Sequence, residues 1–310
     1  MSRIHDALKI AQRERAANPN LAEASDGVLV PDLMTTLESP AAAREAPTVA
    51  YGAPEGVSEP LSLEWLQARC PASPWNPTSD LLLFADAKDQ SPAAEQFRTL
   101  RSRLYQIRDK QPLQTVLVAS ALPAEGKTFV SVNLAQAIVQ QRNRSVLLMD
   151  GDLRRSRTHE MLGASATPGL SDYLRGDADA LSILQRGAEG NLFFIGGGSP
   201  VSNPIELIST GRLKTLLHRL APVFDWIILD SPPSIPLSDA SLLAELCDGV
   251  LMVVRSGETP FDMAQKTRQE FQQRHLVGVV LNRVTPGSTY TSYYYGYSGG
   301  EASKNGNKKD

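Results

Sequence analysis

The stretch TVLVASALPAEGKTFVSVNLAQAIV, residues 115–139, decides how the fold is read. An apolar, β-branched run at 115–119 leads into SALPAEGKT, Ser120 to Thr128, and a helical pattern follows over 127–141. A buried strand, a loop of small residues and a helix in that order surround an anion with backbone N–H groups. Gly126 allows the backbone to approach a phosphate closely. Lys127 brings a positive charge to the β- and γ-phosphates, and Thr128 offers a hydroxyl to Mg2+. The candidate nucleotide site is therefore Ser120, Ala121, Leu122, Pro123, Ala124, Glu125, Gly126, Lys127, Thr128 and Phe129. Ala121 stands where such a loop usually carries its first glycine.

Outward from this stretch, short Val-, Ile- and Leu-rich runs recur at 145–149, 192–195, 225–229, 249–254 and 277–281. Helical patterns at 93–107, 127–141, 204–220, 238–246 and 261–273 lie between most of them. Runs of that size and composition read as strands buried on both faces. The alternation predicts an α/β fold: a mainly parallel sheet with helices on both faces. Two carboxylate motifs end predicted strands. One is DGDLRR, with Asp150, Asp152 and Arg154; the other is DSPP, beginning at Asp230. Ligands of such sheets bind beyond the carboxyl ends of the strands, where all three motifs fall. A hard cation carried with ATP takes oxygen ligands, which Thr128, Asp152 and Asp230 are expected to supply, directly or through water.

The whole chain sets limits. Of its 310 residues, 42% are hydrophobic and 21% charged, and the formal net charge is −3. That balance argues against a nucleic-acid-binding chain. No apolar run reaches the length of a membrane span, and the amino terminus lacks the apolar core of a signal peptide. Cys70 and Cys247 form neither a disulfide framework nor a zinc site. These readings point to a cytoplasmic protein. The Pro-, Ala-, Glu- and Ser-rich region 18–80 reads as a disordered linker with at most a transient helix near 61–68. Residues 1–17 read as an amphipathic helix with Ile4, Leu8 and Ala11 on one face. The body is placed at 81–286. Residues 287–310 form a tail carrying Tyr290, Tyr293, Tyr294, Tyr295 and Tyr297.

With these motifs in place, residues 82–298 resemble the bacterial tyrosine kinases of capsule and exopolysaccharide assembly. The resemblance rests on ALPAEGKT, LLMDGDLRR, IILDSPP, the upstream Glu95, Arg98 and Arg101, and the tyrosine cluster. The segment MSRIHDALKIAQRER is further similar to the cytoplasmic members associated with exosortase systems. The family implies a P-loop NTPase fold of the deviant Walker A (MinD/ParA-like) kind, with ATP and Mg2+ as cofactors. It implies Lys127, Asp150, Asp152 and Asp230 as catalytic residues, Asp150 orienting the tyrosine hydroxyl. An aspartate is too weak a base to take a phenolic proton early. Arg154 is expected either at the phosphate or in a structural ion pair. Asn282, with Arg283 beside it, is expected at the adenine. The five tail tyrosines become phosphoryl acceptors, and Glu95, Arg98 and Arg101 a subunit contact in a ring-shaped homo-oligomer. The implied partners are a separate membrane-embedded activator of the chain-length-determinant type, which recruits the kinase to the inner face of the membrane, and a cognate tyrosine phosphatase.

Two other readings compete. A partition- or division-site ATPase carries an extra lysine in the loop, where this chain has Leu122. A nucleotide-gated scaffold of a polysaccharide assembly complex is the non-enzymatic alternative. ATP-dependent phosphorylation of the tail separates the kinase from the scaffold, and ATP-induced dimers without phosphotyrosine would favour the ATPase.

Overall fold

The computed structural model describes residues 61–77, 82–84, 91–188, 191–235, 237–272 and 275–284. The expected amino-terminal helix at 1–17 and the tyrosine tail lie outside the described residues. Three strands carry the motifs. β2 (Thr115–Ser120) precedes the phosphate loop, β3 (Val146–Asp150) ends on the first aspartate of DGD, and β6 (Trp226–Asp230) ends on the aspartate of DSPP. The remaining strands are β1 (Ala72–Ser73), β4 (Gln185–Gly187), β5 (Leu192–Ile195), β7 (Gly249–Arg255) and β8 (Leu276–Asn282). They form one eight-stranded sheet in the order β1-β4-β5-β3-β6-β2-β7-β8. Every neighbouring pair is parallel except β4–β5. β3, β6 and β2 are therefore adjacent, and their three motifs emerge side by side at the sheet's carboxyl edge.

Strand side chains alternate between two apolar layers, as a period of two requires. Val116, Val118, Leu148, Ile228 and Val253 pack on one face with α2 (Pro92–Arg108) and α3 (Lys127–Val139). Leu117, Leu147, Met149, Ile227 and Leu229 pack on the other with α1 (Leu63–Arg69), α5 (Leu170–Arg175), α6 (Pro204–Ser209), α7 (Arg212–Leu220) and α8 (Asp239–Ala244). α4 (Thr158–Leu162) follows β3, and α9 (Phe261–Glu270) follows β7.

α2 starts where Ser91 Oγ accepts the Ala94 N–H at 3.2 Å, with Pro92 in its first turn. A proline fits there because that N–H has no helical partner to lose. The helix buries Ala94, Phe97 and Leu104, and Phe97 meets Phe129 edge-on at 5.8 Å. α3 is buried nearly all round, because it lies between the sheet and α2. The single helical pattern read over 204–220 is two helices, broken where Gly211 takes φ 77°.

The linker expectation for 18–80 needs correction over its last part, as does the body boundary at 81. Residues 63–69 form α1, and Ala72–Ser73 pair in parallel with Arg186–Gly187. Leu66 is fully buried, and Trp75 sits edge-on to Phe194 at 6.2 Å. A few large apolar side chains outweigh the composition here, because the sheet edge offers them a core to enter.

Candidate active site

The loop after β2 has the geometry of a phosphate cradle. Gly126, at φ 94°, precedes α3, and no side chain caps that helix. The positive φ of Gly126 strains any other residue, and a Cβ there would lie 2.1 Å from Asn282 Nδ2 and force that side chain to move. Ala124 also takes a left-handed conformation, at φ 64°, while Ala121 is not among the positive-φ residues. The first position of this loop therefore does not need the usual glycine. Ala121 is buried, and its carbonyl accepts the Ile235 N–H at 3.1 Å; Ser120 accepts the Ser234 N–H at 2.9 Å. The phosphate loop is thus tied directly to the segment after β6.

Glu125 is buried and braces the loop. Its carboxylate accepts the Leu122 N–H at 2.7 Å and the Thr259 hydroxyl, and its carbonyl accepts Asn282 Nδ2 at 2.9 Å. Asn282, expected at the adenine, also touches the phosphate loop through this bond; Arg283 follows it at φ 54°. Phe129 points away from the loop and packs on Phe97.

Lys127, Thr128 and Asp230 come together. Thr128 Oγ1 donates to Asp230 Oδ2 at 2.7 Å, and Ser131 Oγ donates to Asp230 Oδ1 at 3.1 Å. Asp150 stands opposite Asp230 in the β3–β6 ladder, and both carboxylates are buried. Burial, then the charge of Asp150, pushes Asp230 up to about 7, while Lys127 and the Thr128 hydroxyl pull the other way. Burial likewise pushes Asp150 above the ordinary carboxylate range, against hydrogen bonds from Ser156 and Thr158.

Asp150, expected to orient an incoming tyrosine hydroxyl, is held inside the protein. Its side chain has no solvent exposure. Oδ1 accepts the Asp152 N–H at 3.1 Å. Oδ2 accepts the Ser156 hydroxyl at 2.7 Å and the Arg157 and Thr158 N–H groups at 3.1 Å each. These bonds make it the organiser of the β3–α4 loop. Asp152, at 9% exposure, is the carboxylate of this pair nearer to solvent. Of the two roles expected for Arg154, the structure shows the ion pair: it clasps Asp239 through two bonds of 2.6 and 3.1 Å.

The expected subunit-contact residues divide. Glu95 and Arg98 pair with each other on the outer side of α2 at 3.2 Å. Arg101 turns inward, and its Nη1 donates to the Ala137 carbonyl of α3 at 2.5 Å.

The donor set suits nucleotide and Mg2+. The amino end of α3 and Lys127 complement phosphate, and a hydroxyl beside a carboxylate suits a hard cation. Among the described residues, no cluster of three or more His, Cys, Asp or Glu side chains is arranged to hold a metal. A cation here would take the rest of its shell from water and phosphate oxygens.

Residues 116–298 match the family described as CobQ/CobB/MinD/ParA nucleotide binding domain. The tyrosine-protein kinase YwqD of Bacillus subtilis is 30% identical over 218 residues, covering 69% of this chain and 91% of that protein. This chain belongs to the bacterial tyrosine-protein kinases. Tyrosine-protein kinase wzc of Salmonella typhimurium is 32% identical over 281 residues, covering 87% of this chain and 38% of wzc. The structure of the kinase domain of the Escherichia coli tyrosine kinase ETK superimposes with a TM-score of 0.64 at 30% identity, covering 74% of this chain and 89% of that one. The chain spans about a third of the length of several curated relatives that it matches. Among the described residues, no helix is long and apolar enough to cross a membrane.

The kinase family was legible from three motifs, since each residue type stands at a strand end. Ser131, Thr158, Asp239 and Thr259 were missed. Thr158, Asp239 and Thr259 come from other segments, where a lone hydroxyl or carboxylate carries no spacing signal; Ser131 follows Thr128 by one helical turn, a spacing that could have found it.

Proposed function

We propose that this chain is an ATP-dependent tyrosine autokinase that phosphorylates Tyr290, Tyr293, Tyr294, Tyr295 and Tyr297. The supporting observation is the convergence of Lys127, Thr128 and Asp230 beneath an uncapped helix start, in a chain whose sequence ends in a tyrosine cluster. Phosphoryl transfer depends mostly on positioning and on stabilising charge on the transferred group. Backbone N–H groups of the loop and of α3 hold the phosphates. Lys127 offsets charge on the γ-phosphoryl oxygens. Mg2+, when bound with ATP, supplies further charge neutralisation, and Thr128, Asp152 and Asp230 would hold it. Asp150 fixes the loop that presents Asp152. Asn282 steadies the phosphate loop and, at its rim, is available to the nucleotide.

Five adjacent acceptors suit transfer between neighbouring subunits of a ring, with the outer face of α2 at Glu95 and Arg98 as the contact. The family context supports a role in regulating exopolysaccharide polymerisation and export. It also supports recruitment to the membrane by a chain-length-determinant-type activator, and reversal by a tyrosine phosphatase. Incubation with ATP and Mg2+, followed by mapping of phosphotyrosine by mass spectrometry, tests the central reading. Wild type is expected to carry phosphate within residues 290–297. Lys127→Met is expected to carry none, with an unchanged far-UV spectrum. Phosphotyrosine persisting in that variant, made in a host without another tyrosine kinase, would overturn the assignment. Wild type that binds ATP and stays unphosphorylated, with candidate activator tails present, would favour the nucleotide-gated scaffold.

A further inference from the structure

Asp150 and Asp230 are buried carboxylates opposite each other on adjacent strands. Like charges so placed repel, and their spacing holds only if surrounding donors fix it. Most of those donors serve one carboxylate alone. The Asp152 and Arg157 N–H groups and the Ser156 hydroxyl bond Asp150; the Thr128 and Ser131 hydroxyls bond Asp230. Thr158 serves both. Its N–H lies 3.1 Å from Asp150 Oδ2, and its hydroxyl reaches both carboxylates, bonding Asp150 and lying 3.3 Å from Asp230 Oδ2. Among the described residues, no other side chain hydrogen-bonds both carboxylates. Thr158 is fully buried, so it acts on the site only through these contacts.

The bridge has a direction. Asp230 Oδ2 is also the oxygen that receives the Thr128 hydroxyl. When Thr128 turns to another partner, the Thr158 bond is the side-chain bond that remains on that oxygen, while Ser131 holds Oδ1. We infer that Thr158 is a positioning residue: it locks Asp230 to Asp150, so that Asp230 presents its oxygen beside Thr128 to a divalent cation bound with nucleotide. The inference rests on the nucleotide site proposed above, and not on the identity of the phosphoryl acceptor.

Thr158→Val keeps shape and backbone N–H and deletes only the hydroxyl arm. Thr158→Ser restores that arm. Ser131→Ala removes a hydroxyl whose nearer acceptor is the Lys127 carbonyl, at 2.9 Å against 3.1 Å to Asp230 Oδ1, and leaves the bridge intact. Binding of a fluorescent ADP analogue to the full chain would be measured in chelator and across a MgCl2 titration. Loss of an outer partner of a metal ligand typically weakens metal binding 10–100-fold, so Thr158→Val should need about tenfold more Mg2+ for half-maximal binding. Its affinity for metal-free nucleotide should change less than about twofold, Thr158→Ser should recover most of the loss, and Ser131→Ala should shift far less. The inference is overturned by a wild-type Mg2+ dependence in Thr158→Val, by an equal shift in Ser131→Ala, by no recovery in Thr158→Ser, or by a wild type indifferent to Mg2+. If Thr158→Val loses its cooperative melt, Thr158→Ala is read by the same criteria. A Mg2+ shift in a protein that never labels tyrosine supports the bridge and rejects the kinase reading.

Discussion

At Asp230, burial opposes ionisation while Lys127 and the Thr128 hydroxyl favour it. Burial and the Asp150 charge win, and the carboxyl is pushed up to about 7. The unfolded chain releases the same proton near the ordinary value of 3.8. The folded state therefore holds a proton that the unfolded state has lost, and that difference favours folding at low pH. The advantage fades as pH rises from about 4 and is gone above about 7. In chelator and without nucleotide, wild type should lose on the order of a few kcal/mol between about pH 5 and pH 8. Asp230→Asn removes one of the two raised carboxyls, so it should lessen that decline, with its largest stabilisation at the alkaline end, while Asp150 still titrates. Thermal melts of both proteins across this range check it. Parallel pH profiles would show that the Asp230 proton is not what the folded state retains.

Strands were the most legible elements, and the reason is physical. Expected runs at 115–119, 192–195 and 249–254 lie within one residue of β2, β5 and β7, because strands buried on both faces must be apolar throughout. β1 and β4 escaped notice. Ala72–Ser73 is exposed, and Gln185–Gly187 has no apolar side chain, so their backbones pair with no sequence pattern to announce it. α1 reads only as a transient helix near 61–68, for a different reason. It lies in a proline-rich region whose average composition hides one anchoring side chain, Leu66, buried with Cys70, Phe193 and Leu217 in the same apolar layer. Leu66→Ala should therefore cost about 2–5 kcal/mol, the usual penalty for truncating a buried leucine. Exposed Glu64→Ala is expected to stay within about 0.5 kcal/mol of wild type. Urea unfolding of the two variants measures the contrast. Equal midpoints would mean that α1 contributes nothing to the stability of the sheet.

On the scale of the whole molecule, the proposed tail phosphorylation would couple charge to the proposed assembly. The chain carries a formal net charge of −3. Five phosphotyrosines would add roughly −8 to −10 charges to one short segment. A site lined by Asp152 and Asp230 repels such a segment, and neighbouring subunits carrying the same load repel one another. Both effects act through solvent over about 8 Å at physiological ionic strength, so added salt weakens them. A ring built on the outer face of α2 should therefore be more stable unphosphorylated. Light scattering on Lys127→Met, on wild type after ATP, and on ATP-treated wild type after a tyrosine phosphatase tests the coupling. The phosphorylated protein is expected to have the smallest mass in low salt, to approach the others at about 0.5 M salt, and to regain its mass after dephosphorylation. Equal masses throughout would uncouple tail phosphorylation from assembly. A difference that survives high salt would assign the effect to a specific phosphotyrosine contact in place of long-range repulsion.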